Sequence, residues 1–250
     1  MTQVLRTAGL SRSWGAFQAV RQVSFALETG ARHALIGPNG AGKTTFVNLL
    51  TGALPCSGGD VFLDERKITG LPQAARVKRG MTRTFQITTL FPHLTVLETV
   101  VLAVCERNGL GASWWKTVAQ HGREIVEARK ILRDLHLESE ADAPTRLLPY
   151  GKQRLLEIAV ALATRPRVLL LDEPAAGIPA GESTDVFSVL AALPRDVTIL
   201  FIEHDMNLVF RFAERITVLV GGAILTEGPP NRIAADARVR EVYLGEGHHA

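Results

Sequence analysis

The apolar positions of this chain follow two alternating rhythms. Short, nearly unbroken runs, His33-Ala34-Leu35-Ile36, Val168-Leu169-Leu170-Leu171 and Val197-Thr198-Ile199-Leu200-Phe201-Ile202, have the length and composition of strands buried on both faces. Around them apolar residues recur at helical spacing. Phe46, Val47, Leu49 and Leu50 precede Gly52; Val96, Leu97, Val100, Val101 and Val104 follow Thr95; Ile125, Ala128, Ile131 and Leu132 share a face between Arg123 and Leu135; another helix is expected from Gln153 to Ala163. Further short strands are expected at Val23–Leu27 and Val61–Leu63. Alternating strands and helices predict a parallel sheet with covered faces. From about Ile87 to Leu148 the pattern turns mostly helical, and after Gly151 the α/β alternation returns. The expected organisation is therefore one domain over residues 1–250. Its α/β core comes from residues 1–86 and 151–250, and a helical subdomain, 87–150, is inserted between them.

Composition narrows the possibilities. A chain of 250 residues with 46% hydrophobic content can bury a sizeable core. Charges or prolines interrupt every apolar stretch well before the ~18 residues a membrane span needs, and Met1 to Leu10 lack the layout of a secretory leader. Net charge is only +3, and the clusters Arg76-Val77-Lys78-Arg79 and Arg129-Lys130 are short. They read as solvated faces, near anionic headgroups if the protein docks at a membrane, and no nucleic-acid partner is expected. Cys56 and Cys105 stand alone, which suits reduced thiols in the cytosol, and His248-His249 reads as a terminal tail.

The strongest chemical signal is Gly37-Pro38-Asn39-Gly40-Ala41-Gly42-Lys43-Thr44-Thr45, a G-x-x-x-x-G-K-[ST] pattern between a predicted strand and a predicted helix. Glycines let the backbone curl so that successive N–H groups face phosphate oxygens, and the helix N-terminus adds partial positive charge. Lys43 would reach the β- and γ-phosphates and the Thr44 hydroxyl would bind Mg²⁺. The pattern implies a nucleoside triphosphate. A second signal is Val168-Leu169-Leu170-Leu171-Asp172-Glu173-Pro174, which sets two carboxylates at the carboxyl edge of a parallel sheet, where ligands of such sheets sit. Asp172 would hold Mg²⁺, directly or through water, opposite Thr44, and Glu173 would orient and deprotonate the attacking water. His204, in Glu203-His204-Asp205, would contact the γ-phosphate and that water. Gln86, in Arg83-Thr84-Phe85-Gln86, can reach Mg²⁺ or the water where the core gives way to the helical segment.

The order phosphate loop, Gln86, Leu148-Pro149-Tyr150-Gly151-Lys152-Gln153-Arg154, Leu171-Asp172-Glu173-Pro174 and His204 resembles an ATP-binding cassette (ABC) ATPase along essentially the whole chain. The fold implied is an α/β P-loop NTPase core with a mixed sheet and an inserted α-helical subdomain carrying the signature segment. Trp14 falls where the family stacks an aromatic residue on adenine. Arg83-Thr84-Phe85-Gln86, Leu155-Leu156-Glu157-Ile158-Ala159, Glu173-Pro174-Ala175-Ala176-Gly177, Ile202-Glu203-His204-Asp205-Met206 and Val242-Tyr243-Leu244-Gly245-Glu246 are similar to ATPases of the branched-chain (hydrophobic) amino-acid importers, LivG type. The resemblance implies ATP and Mg²⁺ as cofactors, and transmembrane permease subunits and a second ATPase subunit as partners. It further implies a solute-binding protein acting indirectly, and a peripheral place on the cytoplasmic face of the inner membrane. Residues Ile87 to Leu94 would carry ATP-driven closure to the permeases, and Trp114 and Trp115 would pack on a partner or in the core. The alternatives are a lipopolysaccharide-export-type ATPase, which usually keeps serine and two glycines in its signature, a soluble non-transport ABC ATPase, and a metabolic P-loop kinase.

Two departures stand out. The family signature begins Leu-Ser-Gly-Gly, whereas this chain has Leu148-Pro149-Tyr150-Gly151, and Pro179 replaces the usual Asp or Asn after the Mg²⁺ strand. In ABC dimers the signature residues, here Pro149, Tyr150, Gly151 and Lys152, bind the γ-phosphate of the partner's ATP. Pro149 lacks both the hydroxyl and an N–H, and each lost charge-assisted bond weakens that contact by roughly 1.5–3 kcal/mol. An asymmetric heterodimer is the expectation.

Overall fold

The computed structural model describes residues 2–84, 90–110 and 121–245. Two sheets enclose the first helix. β1 (Gln3–Trp14) pairs antiparallel with β2 (Phe17–Val23) and with β3 (Ala26–Glu28). β4 (Arg32–Ile36), buried at every position, leads through the glycine loop into α1 (Lys43–Thr51), which stops at Gly52 in the left-handed conformation (φ 77°). β5 (Gly58–Leu63) and β6 (Arg66–Lys67) complete the smaller sheet in the order β2-β1-β5-β6. Next come α2 (Gln73–Val77) and β7 (Met81–Arg83), then α3 (Val96–Arg107), α4 (Gly122–Asp134) and α5 (Tyr150–Ala163). β8 (Val168–Asp172), α6 (Ala180–Ala192), β9 (Thr198–Ile202), α7 (Met206–Phe212) and the hairpin β10 (Arg215–Val220) and β11 (Ala223–Gly228) follow.

The larger sheet runs β11-β10-β4-β9-β8-β7, parallel except for the β10–β11 hairpin, so it is mixed. Alternate residues of its central strands serve two cores, as the two-residue period of a strand requires. Ala34, Ile36, Leu169 and Leu171 face the helical side with Phe187 and Leu156, whereas Leu35, Leu170 and Leu200 face α1 and the smaller sheet. Phe46 of α1 meets Phe25 edge-on at 5.7 Å between ring centroids. Each such fully buried side chain contributes roughly 1.5–3 kcal/mol.

The expected strand Val23–Leu27 is split. Val23 ends β2, Ala26 begins β3, and Thr7 of β1 bridges the break. Its hydroxyl donates to Val23 O (2.8 Å) and accepts from Phe25 N (2.9 Å), replacing a ladder bond by a side-chain one. The long strand β1 gave no clean periodicity because only one part of it is covered: Val4, Leu5 and Leu10 are buried, while its polar residues from Ser11 onward are partly exposed. Helix α5 begins at Tyr150, three residues before the expected Gln153.

In the helical layer, Thr95 and Glu98 form a reciprocal capping box at the start of α3. Arg107 grips both oxygens of Glu127 on α4 at 2.7 Å each and also donates to Ala163 O of α5. The Arg107 and Arg165 hydrogen bonds hold the Glu127 carboxyl at about 2, well below its ordinary value. Among the described residues no helix is long and apolar enough to cross a membrane.

One buried histidine supports the core. His33 of β4 is fully buried, its Nε2 lies 2.8 Å from Thr217 Oγ1, and its ring meets Phe25 at 5.1 Å. Thr217 donates its own proton to Glu227 (2.7 Å), so it can accept only from a proton on His33 Nε2; Nδ1 has no partner. Burial lowers the His33 pKa to about 4. The unfolded chain therefore takes up the proton first, near pH 6.5, and stability falls as pH drops from there toward about 4. The loss over that whole window is on the order of 3 kcal/mol. Urea unfolding at pH 7.5 and pH 5 should show this decline, with a shallower pH dependence in His33→Gln; identical slopes in the two proteins would contradict it.

Candidate functional site

The phosphate loop takes its shape from close backbone packing. Gly37 (φ 154°) lies against β10, where a Cβ would stand 2.1 Å from Leu219 O; a Cβ on Gly42 (φ 97°) would stand 2.3 Å from Ala19 O of β2. Gly222 N donates to Ala41 O (2.9 Å) and Arg21 N to Gly222 O (2.7 Å), so β2 and the β10–β11 turn hold the loop from behind. Gly42 caps α1 without a side chain, which leaves the first N–H groups of the helix open to a ligand. Lys43 Nζ donates to Gly37 O (2.6 Å) and Pro38 O (2.9 Å), arching over the loop.

A cavity of about 300 Å³ opens in front of this loop. Its walls bring together Trp14, residues 39–45, Glu173 and His204, joined by Phe17 and Ala19. Trp14 ends β1 and is 46% exposed, and the Arg12 guanidinium stacks over its ring at 4.6 Å. Parallel pairing delivers the acidic wall. Asp172 of β8 and Leu35 of β4 both register with Ile202 of β9, so the ends of three strands meet at one sheet edge. Glu173 N then donates to Ile202 O (3.0 Å), and Glu173 turns out of the strand with φ 49°. A positive φ in a residue with a Cβ costs on the order of 1–3 kcal/mol and typically marks a functional turn. Glu173 Oε1 lies 2.6 Å from His204 Nε2.

Asp172 does not line the cavity. Its carboxylate is 3% exposed and paired with the Arg83 guanidinium, which also donates to Asn48 Oδ1 of α1 at 2.5 Å. Gln86 lies outside the described residues, as do Trp114, Trp115 and Ile87 to Thr89 of the segment running to Leu94. Pro149, Gly151 and Lys152 line a separate cavity of about 600 Å³ between α5 and α6. Pro149 and Pro179 occupy the N-cap positions of α5 and α6, with no side-chain cap at either. Tyr150 packs against Gly177, where a Cβ would stand 3.3 Å from its ring.

Sequence reasoning missed Arg83, Asn48, Phe17 and the role of Glu203. Glu203 is buried at the end of β9; its Oε1 accepts from Ala175 N (2.8 Å) and its Oε2 from His204 N (3.0 Å). Burial pushes the Glu203 carboxyl upward, opposed by the N–H groups of Ala175, His204 and Asp205. One side chain thus holds the two loops that carry Glu173 and His204. Its signal, an acid directly after a buried strand, was present but gave no direction.

A helix running out of a glycine loop, set behind a mainly parallel sheet whose strand ends carry the acids, defines the P-loop class of nucleotide-binding folds. The model of the family described as ABC transporter matches residues 20–176, and the chain belongs to that family. A second model, described as branched-chain amino acid ATP-binding cassette transporter, matches residues 223–249. The chain is 40% identical to the high-affinity branched-chain amino acid transport ATP-binding protein BraF of Pseudomonas aeruginosa, covering 97% of this chain and 98% of the relative. It is 37% identical to LivG of Escherichia coli K12 over the same shares. Among solved structures, an ATP-binding cassette in its ADP conformation superposes with a TM-score of 0.86 at 31% identity, covering 98% of this chain and 100% of the other. A nucleotide-free cassette gives 0.84 at 30% identity, covering 97% and 99%. The chain is thus an ATP-binding and ATP-hydrolysing cassette of the LivG-like type.

Because Glu203 supports both loops, Glu203→Gln should lower ATP turnover by roughly tenfold, the cost of one weakened bond to a charged group, with little change in the KM for ATP. Steady-state kinetics would check this; equal changes in kcat and KM would refute it.

Proposed function

We propose that this chain hydrolyses ATP to drive an importer of branched-chain or other hydrophobic amino acids, or of related small amides. The observation that carries the chemistry is the single cavity joining Trp14, the phosphate loop, Glu173 and His204. Trp14 would stack on adenine, and Lys43 with the backbone N–H groups of the loop between Asn39 and Thr45 would take the phosphate charge. The donors are hard oxygens of the kind Mg²⁺ binds: the Thr44 hydroxyl in the cavity at the start of α1 and, set back from the cavity beside Arg83, the Asp172 carboxylate at the end of β8, which would reach the ion through water. Those two residues and Gln86 would hold the ion, which supplies charge neutralisation at the phosphates. Glu173 would take the proton of the attacking water, and His204, whose Nε2 lies 2.6 Å from Glu173 Oε1, would steer that water and contact the γ-phosphate.

The substrate class rests on the relatives, whose names specify branched-chain amino acid transport, and on the match over residues 223–249. That match favours this reading over a lipopolysaccharide-export ATPase or a soluble ABC ATPase. The partners are then two permease subunits at the cytoplasmic face of the membrane, fed by a solute-binding protein. A cavity of about 520 Å³ lined by Leu90, Phe91, Leu102 and Val160 lies beside α3 and α5, and suits a permease segment. Within the one domain, residues 87–150 would act as the helical subdomain that receives it.

The second ATPase subunit differs from this chain on our reading. Pro149 offers no donor, and the Glu182 carboxylate lies 2.7 Å from the position of a Cβ on Gly151, where a partner's γ-phosphate would approach. Light scattering of Glu173→Gln protein with saturating Mg·ATP should show a monomer alone and a dimer with the second ATPase subunit. A stable homodimer would refute the asymmetric assembly. In the reconstituted importer, Glu173→Gln should abolish most leucine uptake and ATP turnover, and undiminished turnover would sink the assignment of Glu173 as base.

A further inference from the structure

We propose that Arg83 is a positioning residue that sets the spacing between the two sides of the metal site, an inference resting on the assignment of Thr44 and Asp172 as metal ligands. Thr44 and Asn48 lie four residues apart on α1, one above the other on a single face of the helix. Arg83, the last residue of β7, reaches both sides. Its Nη1 donates to Asn48 Oδ1 at 2.5 Å and its Nη2 donates to Asp172 Oδ2 at the end of β8. The guanidinium therefore ties the helix that carries one ligand to the strand that carries the other.

Three features distinguish this arrangement from an ordinary stabilising ion pair. Both partners are withdrawn from solvent, at 11% and 3% side-chain exposure, and buried pairs of this kind add little net stability over an apolar replacement. Arg83 Nε is buried without a hydrogen-bond partner, so desolvation of this cation is incompletely repaid. The guanidinium is planar and rigid, which fixes its two arms relative to one another, whereas a lysine ammonium reaches one partner at a time. The register of the sheet supports the reach. Arg83 pairs with Leu170, two residues before Asp172 and on the same face of β8, and Thr84 N continues the ladder to Leu170 O at 3.0 Å.

Electrostatics and positioning predict opposite signs. A cation beside a metal-binding carboxylate repels the metal, so a simple counterion would weaken metal binding and its removal would tighten it. A clamp that holds the two ligands at their working separation does the reverse.

The test uses Mn²⁺ as a surrogate for Mg²⁺, with the full chain saturated with a non-hydrolysable ATP analogue and bound Mn²⁺ read by electron paramagnetic resonance. Arg83→Ala should weaken Mn²⁺ in the ternary complex by about tenfold. Arg83→Lys and Asn48→Ala each sever one arm and should give a similar, smaller loss of about threefold. Affinity for the nucleotide in EDTA should stay within about twofold in all three, because the phosphate loop is untouched. Unchanged or tighter Mn²⁺ binding in Arg83→Ala overturns the clamp, as does an equal loss of nucleotide binding in EDTA. If Arg83→Ala does not fold, the two one-arm variants carry the test under the same criteria. Asp172→Asn separates the underlying assignment: if it too leaves Mn²⁺ binding unchanged, the metal site itself is misplaced, whereas a loss there with none in the Arg83 variants refutes the clamp alone.

Discussion

Parallel pairing of β4, β9 and β8 in a single register is the constraint on which the rest of this structure depends. Leu35, Ile202 and Asp172 stand side by side, so the three strands end at one edge. The phosphate loop after Ile36, the acids after Leu171 and the Glu203-His204 pair after Ile202 all emerge there. A slip of one residue would turn Asp172 to the opposite face of the sheet and exchange the two core faces. Leu169, Leu170 and Leu171 are apolar on both faces, so it is the polar end of the strand, where Asp172 pairs with Arg83, that opposes the slip.

The same edge concentrates backbone strain and polar burial. Glu173 adopts a left-handed conformation, and Glu203 and Asp172 are buried acids. Each is individually unfavourable. They persist because the surrounding sheet supplies the partners: Ile202 O for Glu173 N, backbone N–H groups for Glu203, and Arg83 for Asp172. Stability drawn from the two apolar cores is thus spent on rigid placement of a few groups, which is what charge stabilisation at a phosphate requires.

Away from that edge the molecule shows where it must meet other proteins. The signature residues lie at the start of α5, lining a cavity separate from the phosphate loop. In the assembly proposed above they would act on the nucleotide of a second ATPase subunit. The prolines at the caps of α5 and α6 fit the backbone without distortion, with φ −55° at both.

Sequence alone determined the local grammar: buried parallel strands from continuous apolar runs, helices from spacing and caps, and a phosphate loop whose glycines admit one backbone path. It also singled out Lys43, Asp172, Glu173 and His204 as candidates, because each sits next to a strand or loop with its own signature. What it left open depends on contacts distant along the chain. The break between β2 and β3 is set by Thr7, roughly sixteen residues away in sequence. The support given by Glu203 and the bridge from Arg83 to Asn48 and Asp172, 35 and 89 residues apart, exist only once the sheet is assembled. Hydrophobic periodicity records which face a residue buries; it does not record which polar group, brought from elsewhere, will meet it there.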